Sequence, residues 1–402
     1  MRRVVITGAG TINPLGSSVA DTWDAFRAGR VAIGALDIPD IDRLHIRIGA
    51  QIKDFDPNTY FTRAEQALYD RATQFALLAA REAMAQSAPD LSEAELQRAG
   101  VIMGTAAGGQ ETLDANYRAV FEERKNRVHP FTVPRLMANA AASQLSITHN
   151  FGGPVYTVST ACASSNHAIG QAFHLIRAGS ADVMMAGGAD ATLSFGGIKA
   201  WEGLRVMSPD GCRPFCATRN GMVQGEGAAV FVLEEHDRAL TRGAPILAEV
   251  AGFAMCGDAR DIVAPCAAGA TRAMDLALKD AGLVPGHIDY INAHGTGTKA
   301  NDHVESEAIS KLFGTGPDAP LVSSTKSLHG HLMGASGAVE LLSVIQALSE
   351  GVIAPTAGHV QDDPNCPVNL VTGSARQAKV GAAMSNAFAF GGLNAILALR
   401  PA

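Results

Sequence analysis

Residues 154–179 and 319–351 repeat one grammar. Each begins with a short apolar strand, passes a Ser/Thr pair, and continues as a helix that closes at a glycine, Gly179 in one and Gly351 in the other. In the first helix Ser165, Ile169, Phe173 and Ile176 recur at helical spacing; in the second Ala335, Ala338, Leu342, Ile345 and Leu348 do. Both helices are apolar nearly all round, so both must be covered by protein on every side. Two such buried helices, each following a strand, predict two similar α/β halves joined near residues 235–250. A length of 402 residues, beyond what one core usually fills, fits a duplicated core. The echo alone does not separate duplication from coincidence.

The remaining pattern alternates strands and helices. RVVIT at 3–7 reads as a buried strand ending at Gly8. Thr62 to Ala85 reads as one helix, opened by a Thr62/Glu65 capping box, with Leu68, Phe75 and Leu78 near helical spacing. Further strands are predicted at 100–104, 154–159, 182–186, 229–233, 246–254, 288–292, 320–323, 379–384 and 395–399. Helices are predicted at 271–281, stopped by Gly282, and at 303–313, stopped by Gly314. The fold class is α/β with buried sheets, divided as 1–245 and 246–402.

Composition removes several function classes. A net charge of −7 argues against nucleic acid as a bulk partner. The six cysteines, at 162, 212, 216, 256, 266 and 366, form no CxxC pair and no Cys/His ligand spacing, so no metal site is expected. They read as free thiols of a reducing cytoplasm. The opening apolar run is broken too early, by Thr7, Gly8, Asn13 and Pro14, for a signal peptide, and no stretch approaches the ~18 apolar residues of a spanning helix. TGAG at 7–10 lacks the spacing of a dinucleotide loop and runs into Pro14.

Cys162 falls where a strand ends and a buried helix begins. Unpaired N–H groups and the positive end of the helix dipole there favour thiolate over thiol. Small neighbours, Ala161, Ala163, Ser164 and Ser165, leave room for a substrate. Taken alone, a buried inert cysteine is the commoner reading, and it is the one applied to the other five. His294 in INAHGTGTKAND, and Lys326 and His331 in SSTKSLHGHLMGASG, follow strands in the opposite half. Acyl chemistry at a thiol needs such proton-handling and oxyanion groups.

Together VSTACASSNHAIG, NAHGTGT, SSTKSLHGHLMGASGAVE and SNAFAFGG make the chain resemble the β-ketoacyl-acyl-carrier-protein synthases, KAS I/II type, from RRVVITGAG to the last strand. KAWEGLRVMSPDGCRPF and HGTGTKAND look most like the nodulation protein E, type II polyketide-like branch of that family. The resemblance implies the thiolase fold, duplicated α/β halves in a five-layered αβαβα core. It implies an enzyme that condenses an acyl thioester on Cys162 with malonyl-acyl carrier protein. His294 and His331 would assist decarboxylation, backbone N–H groups of Cys162 and Phe390 would form the oxyanion hole, and Lys326 would order the charges with Glu340. Thr296 and Thr298 would hold the phosphopantetheine arm, with Ala107, Trp201, Phe388 and Gly391 around the substrate. Arg63, Arg124, Lys125, Arg127 and Arg205 would dock the carrier. No bound cofactor is implied, and a homodimer or a heterodimer with a second ketosynthase-like subunit is. Asp302 stands either as a supporting acid or as a solvated loop acid.

The chain departs from the family pattern at four places. Ala389 and Leu393 replace a Gly and a Thr around Phe390, which implies a stiffer gate. The helix at Thr62 keeps only Arg63 and Arg71 near it. Ala107 is small where a bulkier residue is common and would lengthen the channel, whereas Trp201, in place of Phe, would shorten or reshape it. Two other functions fit the residues less well. A thiolase would need a second catalytic cysteine in the C-terminal half, and Cys366, in the polar turn DDPNCPVN, is a poor one. A non-catalytic chain-length subunit would have lost the nucleophile, which is present.

Overall fold

The computed structural model describes residues 1–402. Ten strands carry the architecture. The first five are β1 (Val4–Ile12), β2 (Ala99–Gly104), β3 (Val155–Val158), β4 (Val183–Asp190) and β5 (Gly227–Glu235). They lie in the order β3-β2-β4-β5-β1. The second five are β6 (Ala248–Gly257), β7 (Tyr290–Asn292), β8 (Leu321–Ser323), β9 (Ala383–Ala389) and β10 (Leu393–Arg400). They lie in the order β8-β7-β9-β10-β6. Numbered within each half, both orders read 3-2-4-5-1. The parallel and antiparallel pairings also match step for step, so one topology occurs twice. A short antiparallel contact, Val4–Ile6 with Ala248–Val250, joins the two into one sheet, extended at one edge by Asn369–Leu370.

Seven helices matter here: α1 (Arg71–Ser87), α2 (Ala140–His149), α3 (Ser164–Arg177), α4 (Phe195–Gly203), α5 (Ala267–Ala281), α6 (Lys299–Phe313) and α7 (Ser336–Glu350). Side chains alternate across each strand, and the alternation sorts the core into layers. Phe231 and Leu233 of β5 and Leu397 and Leu399 of β10 face a shared cluster with Ile169 and Phe173 of α3 and Leu341 and Ile345 of α7. Val230 and Val232 face the opposite way, onto Phe75 and Ala79 of α1 and Leu145 of α2. Ile396 and Met384 face Met274 of α5 and Ile309 of α6. The layers therefore run α1/α2, sheet, α3/α7, sheet, α5/α6. The two helices of the repeated grammar are the middle layer.

Several element ends fall a few residues from the sequence expectation, α5 and α6 each beginning four residues earlier, at Ala267 and Lys299, and three boundaries differ for a clear packing reason. β1 does not end at Gly8. A Cβ at Gly8 would lie 2.1 Å from Ala83 O and one at Gly10 2.0 Å from Ala79 O, so these glycines let the strand run flush beneath α1. The helix expected from 62 to 85 is two. Arg63–Leu68 ends at Tyr69, which is extended, and Asp70 caps α1 by accepting from Ala72 N, while the Thr62/Glu65 capping box forms as expected. The strand expected at 379–384 begins only at Ala383, because the N–H groups of Gly381 and Ala382 donate to the Asp289 carboxylate instead of to a ladder. No helix is long and apolar enough to cross a membrane.

Candidate active site

The duplication places two equivalent turns tip to tip. Each third strand leads through a 3-10 turn into a middle-layer helix: Ala161–Ala163 before α3 and, after a short helix at Lys326–His329, Met333–Ala335 before α7. Both turns open on a non-glycine residue with positive φ, Ala161 at 48° and Met333 at 51°. Such a conformation persists only where packing overdetermines it. In one half the next residue is Cys162. In the other it is Gly334, whose N–H donates to the Asp190 carboxylate at 2.7 Å, and His331 lies three residues earlier.

The sulfur of Cys162 and one nitrogen of each of His294 and His331 all lie within 4.8 Å of one another. The two imidazoles stand edge to face, centroids 5.6 Å apart. All three residues are buried, as are Lys326 and Glu340. Hydrogen bonds set the imidazole tautomers. Met333 N donates to His331 Nδ1 at 3.1 Å, and Ser336 Oγ lies 2.8 Å from the same atom. Lys326 Nζ lies 3.3 Å from His294 Nδ1, 2.6 Å from His294 O, and against Glu340 Oε1. An ammonium can only donate, so its three N–H groups meet three acceptors. Both Nδ1 atoms accept, and both rings, when neutral, carry their hydrogen on Nε2.

Electrostatics keeps the rings neutral. Burial, then the Lys326 charge, holds both imidazoles well below their ordinary range. The thiol does not follow the sequence expectation. Burial pushes Cys162 up to about 12, assisted by Asp190 and Glu340 and opposed by Lys326, so it rests as a thiol despite its place at a helix tip. Burial outweighs the Lys326 charge and the backbone N–H that pull the other way. Burial also raises Glu340, with Lys326 pulling the other way.

The cavity over Cys162 is lined by Trp201, His294, Thr296, Thr298, His331, Phe388 and Phe390, as expected. Phe388 packs edge-on to His294. Thr296 and Thr298 bond to each other through their hydroxyls at 2.8 Å. Phe390 heads a three-residue turn between the paired Ala389 and Leu393, and the N–H of Gly391 in that turn (φ 85°) donates to Ile262 O. Asp302 is no solvated acid. It is fully buried and accepts from the backbone N–H groups of Phe215, Thr296 and Gly297. Ala107 does not line the cavity of this chain; it is exposed, its N–H held by Asp190. Arg63, Arg124, Lys125, Arg127 and Arg205 are all exposed. Arg71 is turned inward, onto Glu226 at 2.7 Å, and is not free to dock a carrier. Nor are the other cysteines all buried: Cys256 and Cys266 are half-exposed, and Cys266 lines the cavity.

Two acids escaped the sequence reading. Asp190 accepts from Thr105 Oγ1 and the N–H groups of Ala106, Ala107 and Gly334, and so pins the His331 loop to the end of β2. Glu305 accepts from His294 N and Gly295 N, and burial pushes it up to about 7. Its spacing of three from Asp302 on α6 was the available signal. As for metal, the Cys162–His294–His331 cluster presents Nε2 hydrogens rather than lone pairs, which suits an oxyanion better than a cation. Three buried oxygens near Lys326 and β9, Asn292 Oδ1, Glu340 Oε2 and Asn386 Oδ1, lack hydrogen-bond partners and are the groups that could take a water or a small cation.

The β-ketoacyl synthase N-terminal domain family matches residues 1–239, and its C-terminal domain family matches residues 247–359. The chain is 46% identical over 399 residues to nodulation protein E of a Rhizobium species, covering 99% of each. It is 39% identical over 407 residues to 3-oxoacyl-[acyl-carrier-protein] synthase 2 of a Synechocystis species, covering 99% of this chain and 98% of that one. The solved ishigamide ketosynthase/chain length factor superposes with a TM-score of 0.94 at 34% identity, over 100% of this chain and 99% of that one. With both domain families matched in order along one duplicated fold, this chain belongs to the β-ketoacyl synthase family.

Proposed function

We propose that the chain performs a decarboxylative Claisen condensation between an acyl group on Cys162 and malonyl-acyl carrier protein, giving β-ketoacyl-acyl carrier protein. The observation that carries this is the trio of Cys162, His294 and His331, with both imidazoles held as neutral Nε2–H donors over one buried thiol. In the first step Cys162 Sγ attacks the acyl thioester, the C–S bond to pantetheine breaks, and the thiol proton passes to the departing sulfur. Both Nδ1 lone pairs are taken up by Lys326 and Met333 N and neither is turned to the thiol, so the site ends with the protons it began with. In the second step malonyl thioester loses CO2, and the electron pair remains as an enolate whose oxygen accepts from His294 and His331. The enolate carbon attacks the Cys162 thioester. The backbone N–H groups of Cys162 and Phe390 hold the tetrahedral oxyanion, Cys162 leaves as thiolate, and a proton from solvent restores the thiol. Lys326 acts through His294, holding its tautomer.

On this reading the substrates arrive on the phosphopantetheine of a carrier protein, no cofactor is bound, and the reaction runs in the cytoplasm. The halves divide at 1–245 and 246–402. A second copy or a ketosynthase-like partner completes the assembly; the ishigamide relative is named as a ketosynthase/chain length factor. Intact-mass detection of an acyl adduct, lost in Cys162→Ala and converted to β-ketoacyl carrier protein on adding malonyl-carrier protein, tests the proposal. No adduct from carriers of any acyl length would refute it.

A further inference from the structure

The two turns that meet at the site are held in different ways. The Ala161 turn is closed by its own chain: Ser164 Oγ donates to Ala161 O at 2.6 Å and accepts from Thr160 N at 2.9 Å. The Met333 turn is closed from the other half of the molecule. Ser165 Oγ of α3 donates to Gly334 O at 2.7 Å, and the Asp190 carboxylate at the end of β4 accepts from Gly334 N at 2.7 Å. Both main-chain polar groups of one second-half residue are thus taken by two first-half side chains. Ser165 and Asp190 are fully buried. Each has further anchors: Ser165 Oγ accepts from Ala338 N of α7 at 3.0 Å, and Asp190 accepts from Thr105 Oγ1 at 2.6 Å and from Ala106 N at 2.9 Å.

No flexible side chain separates these groups. A Cβ on Gly334 would lie 2.5 Å from Ala106 N and 2.7 Å from Asp190 Oδ2, and one on Gly188 would lie 2.9 Å from both Gly334 O and Ser165 Cβ. Glycine lets backbone meet backbone at this seam, so hydrogen bonds of set length fix the spacing of the two turns.

Gly334 follows Met333, whose φ of 51° needs outside support. Met333 N in turn donates to His331 Nδ1 at 3.1 Å. Ser336 Oγ also lies beside Nδ1, but a hydroxyl can donate or accept, so the fixed N–H of Met333 is what makes Nδ1 an acceptor and leaves the ring hydrogen on Nε2. Support therefore runs from Ser165 and Asp190 through Gly334 and Met333 to the imidazole over Cys162. We propose that Ser165 and Asp190 are positioning residues for condensation: by clamping Gly334 they hold His331 as an Nε2–H donor in register with Cys162. Neither acts on substrate directly. The role rests on the condensing reading above.

The test separates the two half-reactions in Ser165→Ala and in Asp190→Asn. Acylation of Cys162 by an acyl carrier, followed by intact mass, does not call on His331 as a donor and should stay within about twofold of wild type. Single-turnover condensation of the acylated enzyme with malonyl-carrier protein should fall about tenfold in Ser165→Ala, the scale of one buried hydrogen bond. It should fall further in Asp190→Asn, where an amide replaces a charged acceptor. A variant that is only less stable loses both half-reactions in proportion to its folded fraction, so equal losses overturn the proposal. Wild-type condensation in both variants overturns it too. Imidazole nitrogen NMR of protein labelled at histidine reads the tautomer without substrate. His331 should be protonated on Nε2 in the wild type and mixed between Nε2 and Nδ1 in both variants; an unchanged Nε2 tautomer in both overturns the clamp. If no carrier of any acyl length acylates the wild type, the condensing reading fails instead, and the NMR outcome alone decides on the clamp.

Discussion

Trp201 stacks on Phe390, ring centroids 5.8 Å apart and planes 27° apart. The indole is the surface on which the head of the three-residue turn rests, and both rings line the cavity over Cys162. Trp201→Ala therefore removes a wall of the acyl space. Measured as competition among acyl carriers, preference should move toward acyl groups two carbons longer by about tenfold, the scale of two buried methylenes. An unchanged preference would place Trp201 outside the acyl path.

Lys326 and Glu340 are a buried pair with two duties, one electrostatic and one directional. Lys326→Ala strands a buried carboxylate whose second oxygen already lacks a partner. The expected loss is about 3–5 kcal/mol of stability, together with condensation, since nothing then holds His294 Nδ1 as an acceptor. Adding Glu340→Gln should return much of the melting temperature and none of the condensation. If the double variant condenses, the tautomer argument fails.

Glu305 gives a pH signature with a definite sign. Its folded-state value, raised by burial to about 7, lies above the ordinary 4.5. Between those values the folded chain keeps a proton that the unfolded chain releases, so this residue's contribution to stability falls as pH rises through that window. Glu305→Gln cannot titrate. Its melting deficit against wild type should shrink from pH 5 toward pH 7, by about 3 kcal/mol in all, and then level off. A deficit constant across this range would mean that Glu305 is charged throughout.

Gly10→Ala tests the packing of β1. The added methyl would meet Ala79 O at 2.0 Å and Ala83 N at 2.7 Å, both backbone atoms of α1 that cannot step aside. The variant should be insoluble or melt far lower, whereas Gly243→Asn, at a left-handed turn with open space, should melt near wild type.

Residues whose chemistry is rare were visible in the sequence. A lysine and two histidines after strands stand out because burying such groups is costly, and beside them a cysteine between a strand and an apolar helix, commonplace alone, gains a chemical meaning. The repeated strand–Ser/Thr–helix grammar was legible for the same reason: a helix without a polar face has one place to go. What stayed hidden depended on backbone partners. Asp190 and Glu305 look like ordinary acids until the N–H groups they collect are seen, and Asp302 stayed open between a supporting and a solvated acid because its three donors come from Phe215, Thr296 and Gly297, two of them across a turn and one far along the chain. Gly8 reads as a strand end because a glycine that stops a strand and one that admits a helix look alike. The state of Cys162 depends on depth of burial, which raises it, against the Lys326 charge, which lowers it, and neither depth nor that neighbour is legible along the chain.

The two halves repeat one topology, yet the middle layer belongs to both. Cut between Glu235 and Ala248, either half would keep its full strand order and lose the cover over one face of its inner helix, leaving the residues of α3 or α7 that now share one cluster open to water. Such a fragment has a complete blueprint and an unfinished interior. Neither half alone carries the trio, since Cys162 comes from one and His294 and His331 from the other.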